Sequence, residues 1–400
     1  MDYYIVVFGS IFALSFLYTL AKLRSRGTKK LPPGPTPWPI TGSLHLLGAK
    51  PHVSLANLAK TYGPIMSLKL GQITTVVISS SSMAKQALKN HDQAFSNRFI
   101  PDAAQAHNHY QHSVVWLPVC PQWRTLRRIL NTNIFSCNRL DANQHLRSEK
   151  VKELIAYCAK CSQEGEALEV GQVAFKTNLN LLSNTFFSKD LADPFSDSKD
   201  LFAAGTDTTT STLEWAMTEL LKQPEITKKA QAELEHIIGK GKQIKEVDVS
   251  RLPYLQCIIK ETLRMHPPAP FLIPRRMKQD VELYDYIIPK GSQVLVNVWA
   301  IGRDSTSWED PLMFRPERFW GLDLDMRGQD FELIPFGAGR RICPGLPLAF
   351  RMIPVMLGSL LNTFNWKLEE DIGLNEIDME EKFGITLAKS HPLRAIPSPI

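Results

Sequence analysis

One cysteine stands in a glycine-rich segment whose residue types suit a thiolate. The segment Phe336-Gly-Ala-Gly-Arg-Arg-Ile-Cys-Pro-Gly345 holds three glycines, two arginines and Cys343, and a helical pattern follows it. Glycine lets the backbone approach a flat ligand closely, and N–H groups at a helix start favour an anionic sulfur. Arg341 is suited to pair with an acidic group of such a ligand. A buried, inert cysteine is the alternative, and it fits a lone cysteine better than this arrangement.

Two other segments place polar side chains on predicted helices. Asp207 and Thr208 lie in the run Ala204-Gly-Thr-Asp-Thr-Thr209, where an acid beside a hydroxyl suits proton relay in an apolar cavity. A helix-start cap is the alternative role for Asp207. Glu261 and Arg264, spaced i and i+3, share a helix face and are expected to pair.

The elements that must position these residues are mostly helices. Strand patterns at 65–70 and 74–80 predict a hairpin around Gly71, and those at 281–288 and 293–301 predict a strand pair around Pro289-Lys-Gly291. We therefore expect a mostly α fold with small β-hairpin sheets. Helices are predicted over 82–90, 121–135, 141–163, 171–188, 201–222, 224–239, 252–265 and 347–364.

Composition and charge exclude several classes of protein. With 400 residues, 44% of them hydrophobic and 22% charged, the chain can bury a large core, so it is not intrinsically disordered. The net charge of +6 is local, because residues 22–30 hold five cations and no acid. A basic nucleic-acid-binding face is therefore not expected. Six scattered cysteines are too few for a disulfide scaffold and indicate a reducing compartment.

The first thirty residues have the composition of a membrane anchor. Residues 3–21 are uncharged and mostly apolar, and a helix of that length reaches about 28 Å, close to the hydrocarbon thickness of a bilayer. Asp2 precedes this run and the basic cluster follows it, which argues against a cleaved signal peptide and places the body in the cytosol. A buried core helix is the weaker alternative, because no polar face interrupts the run. We expect an anchor with a basic stop segment over 1–30 and one folded body over 31–400.

Five segments together resemble the cytochrome P-450 family. Residues 336–345 match its FxxGxRxCxG haem-binding loop at every fixed position, and the other four occur in the family's order. Segments such as PPAPFLIPR and MEEKFGITL resemble plant enzymes of the geraniol 8-hydroxylase group. The resemblance extends from the anchor to Ile400 and implies the cytochrome P-450 fold. The other four segments are the hinge Leu31–Pro35, Trp123 with Arg127, the run 204–209, and Glu261-Thr-Leu-Arg264 followed by Pro316-Glu-Arg-Phe319.

The resemblance assigns a role to each matching residue. Cys343 becomes the axial thiolate ligand of a haem iron, and thiolate ligation favours cleavage of the O–O bond. Asp207 and Thr208 become the pair that delivers protons on the oxygen side. Glu261 and Arg264 join Arg318 in a buried charge network with a structural role. Haem contacts are implied for Phe336, Gly337, Gly345, Trp123, Arg127, Arg341, Arg275 and Arg98, and a substrate pocket for Ala204, Leu272, Ile273 and Ile385.

The chain departs from the family just before residue 201. In the family, the helix that carries Asp207 should begin many residues before it. Here only Leu201–Ala204 lie between the segment that holds Asp207 and a Pro-, Ser- and Asp-rich loop. Compared with the family, roughly a hundred residues are missing between 190 and 201. The missing stretch would include the helices that roof the substrate pocket.

These observations leave three functional hypotheses. The first is an endoplasmic-reticulum monooxygenase, single-pass with its catalytic domain facing the cytosol, that uses O₂ and electrons from NADPH-cytochrome P-450 reductase. Its expected partners are that reductase, membrane lipid and a small apolar substrate, first of all a monoterpenoid such as geraniol, with no nucleic acid. The second is a truncated, catalytically impaired haem-binding membrane protein. The third, a haem-thiolate isomerase or dehydratase, is disfavoured by the intact Asp207–Thr208 pair.

Overall fold

The computed structural model describes residues 31–192, 203–369, 373 and 376–400. The predicted anchor over 1–30 lies outside these residues. So does most of the segment 190–201, where the sequence departs from the family.

Helices are the main regular secondary structure of the described chain, as predicted. Proline stands in the first turn of five of the longer helices, where its missing N–H costs nothing and its fixed φ suits the helix. Gly165 ends another in the left-handed conformation. The helices are α1 (Pro51–Tyr62), α2 (Ser81–Lys85), α3 (Asp102–Gln105), α4 (Pro121–Ile129), α5 (Cys137–Ala142), α6 (Gln144–Glu164), α7 (Val170–Phe187), α8 (Ala203–Lys222), α9 (Pro224–Ile237), α10 (Pro253–Met265), α11 (Val298–Ile301) and α12 (Leu346–Thr363).

Short non-α turns join or extend several of these helices. Two π-helical turns, Gln86–Asn90 and Leu130–Ile134, prolong α2 and α4. They complete the two helices that the sequence predicts over 82–90 and 121–135. The 3-10 turns are Leu44–Leu46, Ala106–Gln111, Glu246–Arg251, Pro316–Phe319 and Gly339–Arg341.

The strands are short and form four small sheets. The strands are β1 (Ile65–Leu70), β2 (Ile73–Ile78), β3 (Leu168–Glu169), β4 (Arg275–Arg276), β5 (Val281–Leu283), β6 (Tyr286–Ile288), β7 (Gln293–Val296), β8 (Phe364–Leu368), β9 (Glu381–Lys382), β10 (Ala388–Lys389) and β11 (Arg394–Pro399). The largest sheet has the order β1-β2-β7-β4, in which β1 and β2 are the predicted hairpin and β7 runs parallel to β2. A second sheet has the order β3-β11-β8, and β5-β6 and β9-β10 are two-stranded.

The predicted strand pair around Pro289-Lys-Gly291 is wrong. The chain already reverses at Tyr284, which has a φ of 53°, so that β5 pairs with β6 within the first predicted strand. Gly291, with a φ of 83°, then turns the chain away, and β7 joins the larger sheet instead. Residues 298–301, predicted as strand, form α11, which Asn297 caps by accepting the N–H of Ala300 at 3.1 Å.

The main core lies where α8 packs against α7, α10 and α12. Leu213, Met217 and Leu220 bury one face of α8, and Met356 and Leu357 come from α12. Among the described residues α12 is the single helix long and apolar enough to cross a membrane, and 61% of its apolar window is buried in the protein. This core joins the helix of Asp207 to the helix that follows Cys343.

Candidate active site

Cys343 lies in a tight turn between the 3-10 turn Gly339–Arg341 and the first residue of α12. Its N–H donates to the carbonyl of Phe336 at 3.0 Å, which closes the loop on itself. The N–H groups of Gly345 and Leu346 donate toward its sulfur. The start of α12 therefore favours negative charge at this atom.

Close approach of the backbone requires a glycine at position 339 of the loop. Gly339 has a φ of 68°, and a Cβ there would lie 2.2 Å from the carbonyl oxygen of Leu88. A Cβ at Gly345 would lie 3.8 Å from the Cys343 sulfur, in the space beside it. Phe336 packs edge-on against Phe350 of α12, with ring centroids 5.7 Å apart. The contacts of Gly339 and Phe336 thus fix the loop, and no side chain at position 345 occupies the space beside the sulfur.

Opposing effects act on the Cys343 thiol. Burial raises its pKa, whereas the N–H groups of Gly345 and Leu346 and the positive charge of Arg127 act to lower it. The net direction is upward, so the protein alone favours the neutral thiol. A bound metal cation would deprotonate it outright.

Four arginines converge beside the Cys343 loop. Arg98 and Arg275 form an isolated antiparallel bridge, which places their backbones side by side. Arg127 donates to the carbonyl of Ile342, immediately before the cysteine. The Arg341 guanidinium lies 4.6 Å above the ring of Trp123, whose N–H donates to the Val114 carbonyl at 3.0 Å. The five side chains predicted as haem contacts from distant segments are thus brought together.

The positive charges of these four arginines repel one another unless an anion binds beside them. Burial and the neighbouring cations lower the pKa of Arg275 and of Arg341 to about 10, and they lower that of Arg98 well below its ordinary value. Among the described residues no carboxylate lies within ion-pairing distance of any of the four arginines. The Arg275 Nε is buried without a hydrogen-bond partner. The donor set therefore fits a ligand that carries carboxylates, and beside a cysteine sulfur a haem meets that requirement.

The predicted charge network is present below the loop. Glu261 accepts from Arg264 Nε at 2.6 Å and from Arg318 Nε at 2.9 Å. Arg264 also donates to the carbonyls of Pro311 and Met313, at 2.8 Å and 3.1 Å. Glu261 and Arg264 are fully buried. The network thereby ties α10 to residues 302–318, and Arg264 borders the same small void as residues 332–335, which lead into the loop.

Asp207 and Thr208 lie in the second turn of α8. Asp207 is half-buried, and burial raises the pKa of its carboxyl. It lies inside the described helix, which begins at Ala203, so it does not cap that helix. The Thr208 carbonyl accepts from the Thr212 hydroxyl at 2.8 Å. The structure thus places the pair on a helix that packs against α12, the helix of the Cys343 loop.

The predicted pocket residues divide into two groups. Leu272 is beside the loop, since a Cβ at Gly337 would lie 3.7 Å from its Cδ1. The Ile273 carbonyl accepts from Arg98 at 2.8 Å. Ile385, in contrast, is 97% exposed at the tip of the β9–β10 hairpin, and Ala204 lies on α8. Leu272 and Ile273 therefore border the arginine cluster, whereas Ile385 is uncovered.

Two further groups of residues have a spacing that can suggest a metal site: Cys158 with Cys161, and His107 with His109 and His112. Cys158 and Cys161 are buried in the core, and burial raises the pKa of both thiols. The segment that holds His107, His109 and His112 is mostly exposed. No group of three or more His, Cys, Asp or Glu side chains in the described ranges is placed to hold a metal ion.

Sequence reasoning missed a buried polar network around Glu381. This carboxylate contacts His52 at 2.8 Å and the Trp299 N–H at 3.2 Å. His266 links it to Glu219 on α8, with 2.8 Å between Nε2 and the Glu219 carboxylate. The five residues come from five distant segments, so no spacing in the sequence pointed to them.

Comparison with known proteins agrees with this geometry. The cytochrome P-450 family profile matches residues 32–199 and 195–392. The chain is similar to a geraniol 8-hydroxylase of Catharanthus roseus, at 54% identity over all of both chains. It is also similar to a geraniol 8-hydroxylase of Swertia mussotii, at 52% identity over all of this chain and 99% of the relative. A 7-ethoxycoumarin O-deethylase of Helianthus tuberosus is 47% identical over the full length of both chains. The chain therefore belongs to the cytochrome P-450 family of monooxygenases.

Proposed function

We propose that this protein is a haem-thiolate monooxygenase that hydroxylates a small apolar plant metabolite, first of all a monoterpenoid such as geraniol. The observation that carries the proposal is the convergence of Cys343 with four arginines, three of them buried and Arg127 half-buried, that have no carboxylate partner among the described residues. Such a set suits one ligand that offers both a metal and carboxylates. The similarity to two geraniol 8-hydroxylases supports the substrate class.

Each residue then has a defined task. Cys343 would hold the iron, and the N–H groups of Gly345 and Leu346 would stabilise its thiolate. Arg98, Arg275, Arg127 and Arg341 would bind the haem carboxylates, with Trp123 supporting Arg341 by its ring face. When bound, the haem supplies the activation of dioxygen.

The oxygen side would be served by α8. Asp207, whose pKa is raised by burial, is suited to hold a proton closer to neutral pH than an exposed aspartate. Thr208, next to it in the chain, would pass a proton toward the reacting oxygen through its hydroxyl. Leu272 and Ile273 would bound the substrate on the side of the arginine cluster, and their apolar character suits a hydrocarbon skeleton.

The membrane setting is part of the proposal. An apolar run over 3–21 followed by a basic cluster supports a single span with the body in the cytosol, at the endoplasmic reticulum. Electrons would come from NADPH through a membrane-bound cytochrome P-450 reductase, because the proposed haem reaction needs reducing equivalents that the substrate does not supply.

A second candidate, a truncated form with impaired catalysis, is favoured by a specific observation. The alignments to the two geraniol 8-hydroxylases extend over 492 and 493 positions, whereas the chain has 400 residues. The family profile also matches in two stretches that meet at 195–199. Ile385, assigned to the pocket by resemblance, is 97% exposed. We propose that a segment near 190–201, corresponding to the pocket roof, is missing from this chain.

One experiment separates the two candidates. The 400-residue chain and a form with the segment restored from the Catharanthus roseus relative are each assayed with geraniol, NADPH and a plant reductase. The proposed monooxygenase predicts NADPH-dependent hydroxylation by the 400-residue chain. Turnover by the restored form alone would favour the truncated alternative. No thiolate-type carbon-monoxide spectrum in either form would refute both.

A further inference from the structure

The β9–β10 hairpin is attached to the helix that carries Asp207 and Thr208. β9 pairs antiparallel with β10, and the loop between them presents Ile385 at its tip. At the far end of the loop the Leu387 carbonyl accepts from the Ser211 hydroxyl at 2.7 Å. Ser211 follows Thr208 by three residues on α8, so the two lie on neighbouring turns of one face. The hairpin therefore sits beside the proposed proton-delivery residues.

The near end of the hairpin is held by buried charge. Glu381, the first residue of β9, has a side chain that is only 9% exposed. Its carboxylate lies 2.8 Å from His52 Nε2 of α1 and 3.2 Å from the Trp299 Nε1 of α11. Burial acts to raise its pKa, but the contacts with His266 and His52 and the charge of Arg303 lower it far below its ordinary value. Glu381 is therefore anionic at neutral pH.

The same network returns to α8 two turns further along. His266 lies with Nδ1 3.5 Å from the Glu381 carboxylate and Nε2 2.8 Å from that of Glu219. Its ring stacks on Trp215 of α8, with centroids 4.0 Å apart and planes within 2°. Ser211 and Glu219 are eight residues apart, about 12 Å along the helix axis. The hairpin is thus connected to α8 at two separated points.

Polar contacts hold the Glu381 side chain in place, and it borders an open pocket. A cavity of about 530 Å³ borders Glu219, His266, Trp299 and Glu381 on one side. A carboxylate that faces open space on one side can shift if its hydrogen bonds weaken. The position of β9 against α8 therefore depends on the charge at Glu381.

We propose that Glu381 is a positioning residue that fixes the β9–β10 hairpin, and with it Ile385, relative to Thr208 on α8. This inference rests on the proposed function, because it assigns Ile385 to the substrate side of that site. The network would set how the substrate is oriented and so which carbon is oxidised. Glu381 itself would touch neither substrate nor haem.

The test compares Glu381→Gln with Glu380→Gln. The control removes a carboxylate from the adjacent residue, which is 63% exposed and, among the described residues, forms an ion pair with Lys50 alone. We expect Glu381→Gln to speed hydrogen exchange of the 382–388 amides about tenfold, since it removes hydrogen bonds to a charged group. In the same variant the KM for geraniol should rise about tenfold and the ratio of hydroxylated regioisomers should change. Glu380→Gln should leave exchange, KM and product ratio within about twofold of the parent.

Each outcome bears on the proposal. Unchanged exchange and product ratio in Glu381→Gln, or equal changes in Glu380→Gln, would overturn it. If Glu381→Gln does not fold, Glu219→Gln weakens the connection through His266, together with one hydrogen bond from Gln223, and should give the same direction of change. No change there would overturn the proposal. Hydrogen exchange can be measured without substrate, so it tests the positioning role independently of activity. If the parent does not turn over geraniol but Glu381→Gln still exchanges faster, the proposed function is refuted and the positioning role of Glu381 is not.

Discussion

The cysteine side of the site, around Cys343 and Glu261, is more fully buried and paired than the substrate side, around Ile385 and the start of α8. Beneath the loop, Glu261 and its two arginines are buried and paired, and the Cys343 turn is closed by its own backbone. On the other side, Ile385 is 97% exposed and Phe187, at the end of α7, is 61% exposed. The described chain thus carries residues suited to hold a haem, but it leaves Ile385, one of the residues assigned to the substrate, uncovered.

The comparison shows that the two tasks rest on different parts of the chain. The residues proposed to hold the haem come from segments on both sides of 193–202, and the contacts described for them lie within the described ranges. The substrate side, by contrast, depends on α8 and on the segment near 190–201, where the sequence departs from the family. A change at the buried Glu261 network should therefore affect folding, and haem binding with it, whereas a change at Thr208 should affect turnover alone.

The largest expected effect is at the charge network. Glu261→Gln leaves Arg264 buried without its counter-ion, and we expect the free energy of unfolding to fall by about 3–5 kcal/mol, a large fraction of a typical total. Urea unfolding followed by circular dichroism measures this loss. Glu309→Gln is the matched control, because that carboxylate pairs with Arg315 at the surface. A loss below about 1 kcal/mol in Glu261→Gln would contradict the assigned role.

On the substrate side, Thr208→Ala should separate turnover from haem binding. Without the hydroxyl, NADPH-dependent product formation should fall about 10- to 100-fold, since general acid–base groups contribute on that scale. The haem content and the carbon-monoxide spectrum should not change. Thr212→Ala, one turn further along α8, is the control. Equal loss in both variants would assign the effect to helix stability.

A substitution in the arginine cluster should affect the haem-free and the haem-loaded protein differently. Arg275→Leu removes one of four clustered cations, so the haem-free protein should unfold no more easily than the parent, while haem should dissociate about tenfold faster. Transfer of haem to apomyoglobin measures the rate. Arg340→Leu is the control, because Arg340 is exposed and pairs with Asp92. Unchanged haem release in Arg275→Leu would remove this residue from the proposed contacts.

The smallest effect is the pH dependence of Glu381. Its folded-state pKa is depressed, so the stability it contributes is complete above its unfolded pKa of about 4.3 and is lost as the pH falls toward the folded value. Glu381→Gln should therefore be less stable than the parent by about 1–2 kcal/mol at pH 7, and the difference should shrink below about pH 4. Urea titrations across this range test it. A difference that grows on acidification would contradict the assignment.

The sequence predicts the helices well where proline marks a start or an apolar stripe is long, as in α9 and α10. The prediction of secondary structure is wrong at residues 281–301. The β-branched residues there predict strands, but a turn at Tyr284 and the helix cap at Asn297 determine the local fold. The haem-contact residues can be selected by motif, but their convergence depends on tertiary packing. The Glu381 network has no sequence pattern, because its five members are joined only through the fold.

The most direct test is the carbon-monoxide difference spectrum of the reduced, haem-loaded 400-residue chain. We expect the red-shifted Soret band of thiolate-ligated haem in the parent and in Cys137→Ser, where an exposed cysteine is replaced. The band should be absent in Cys343→Ser. A parent protein that binds haem without this band, or a Cys343→Ser variant that keeps it, would contradict the account.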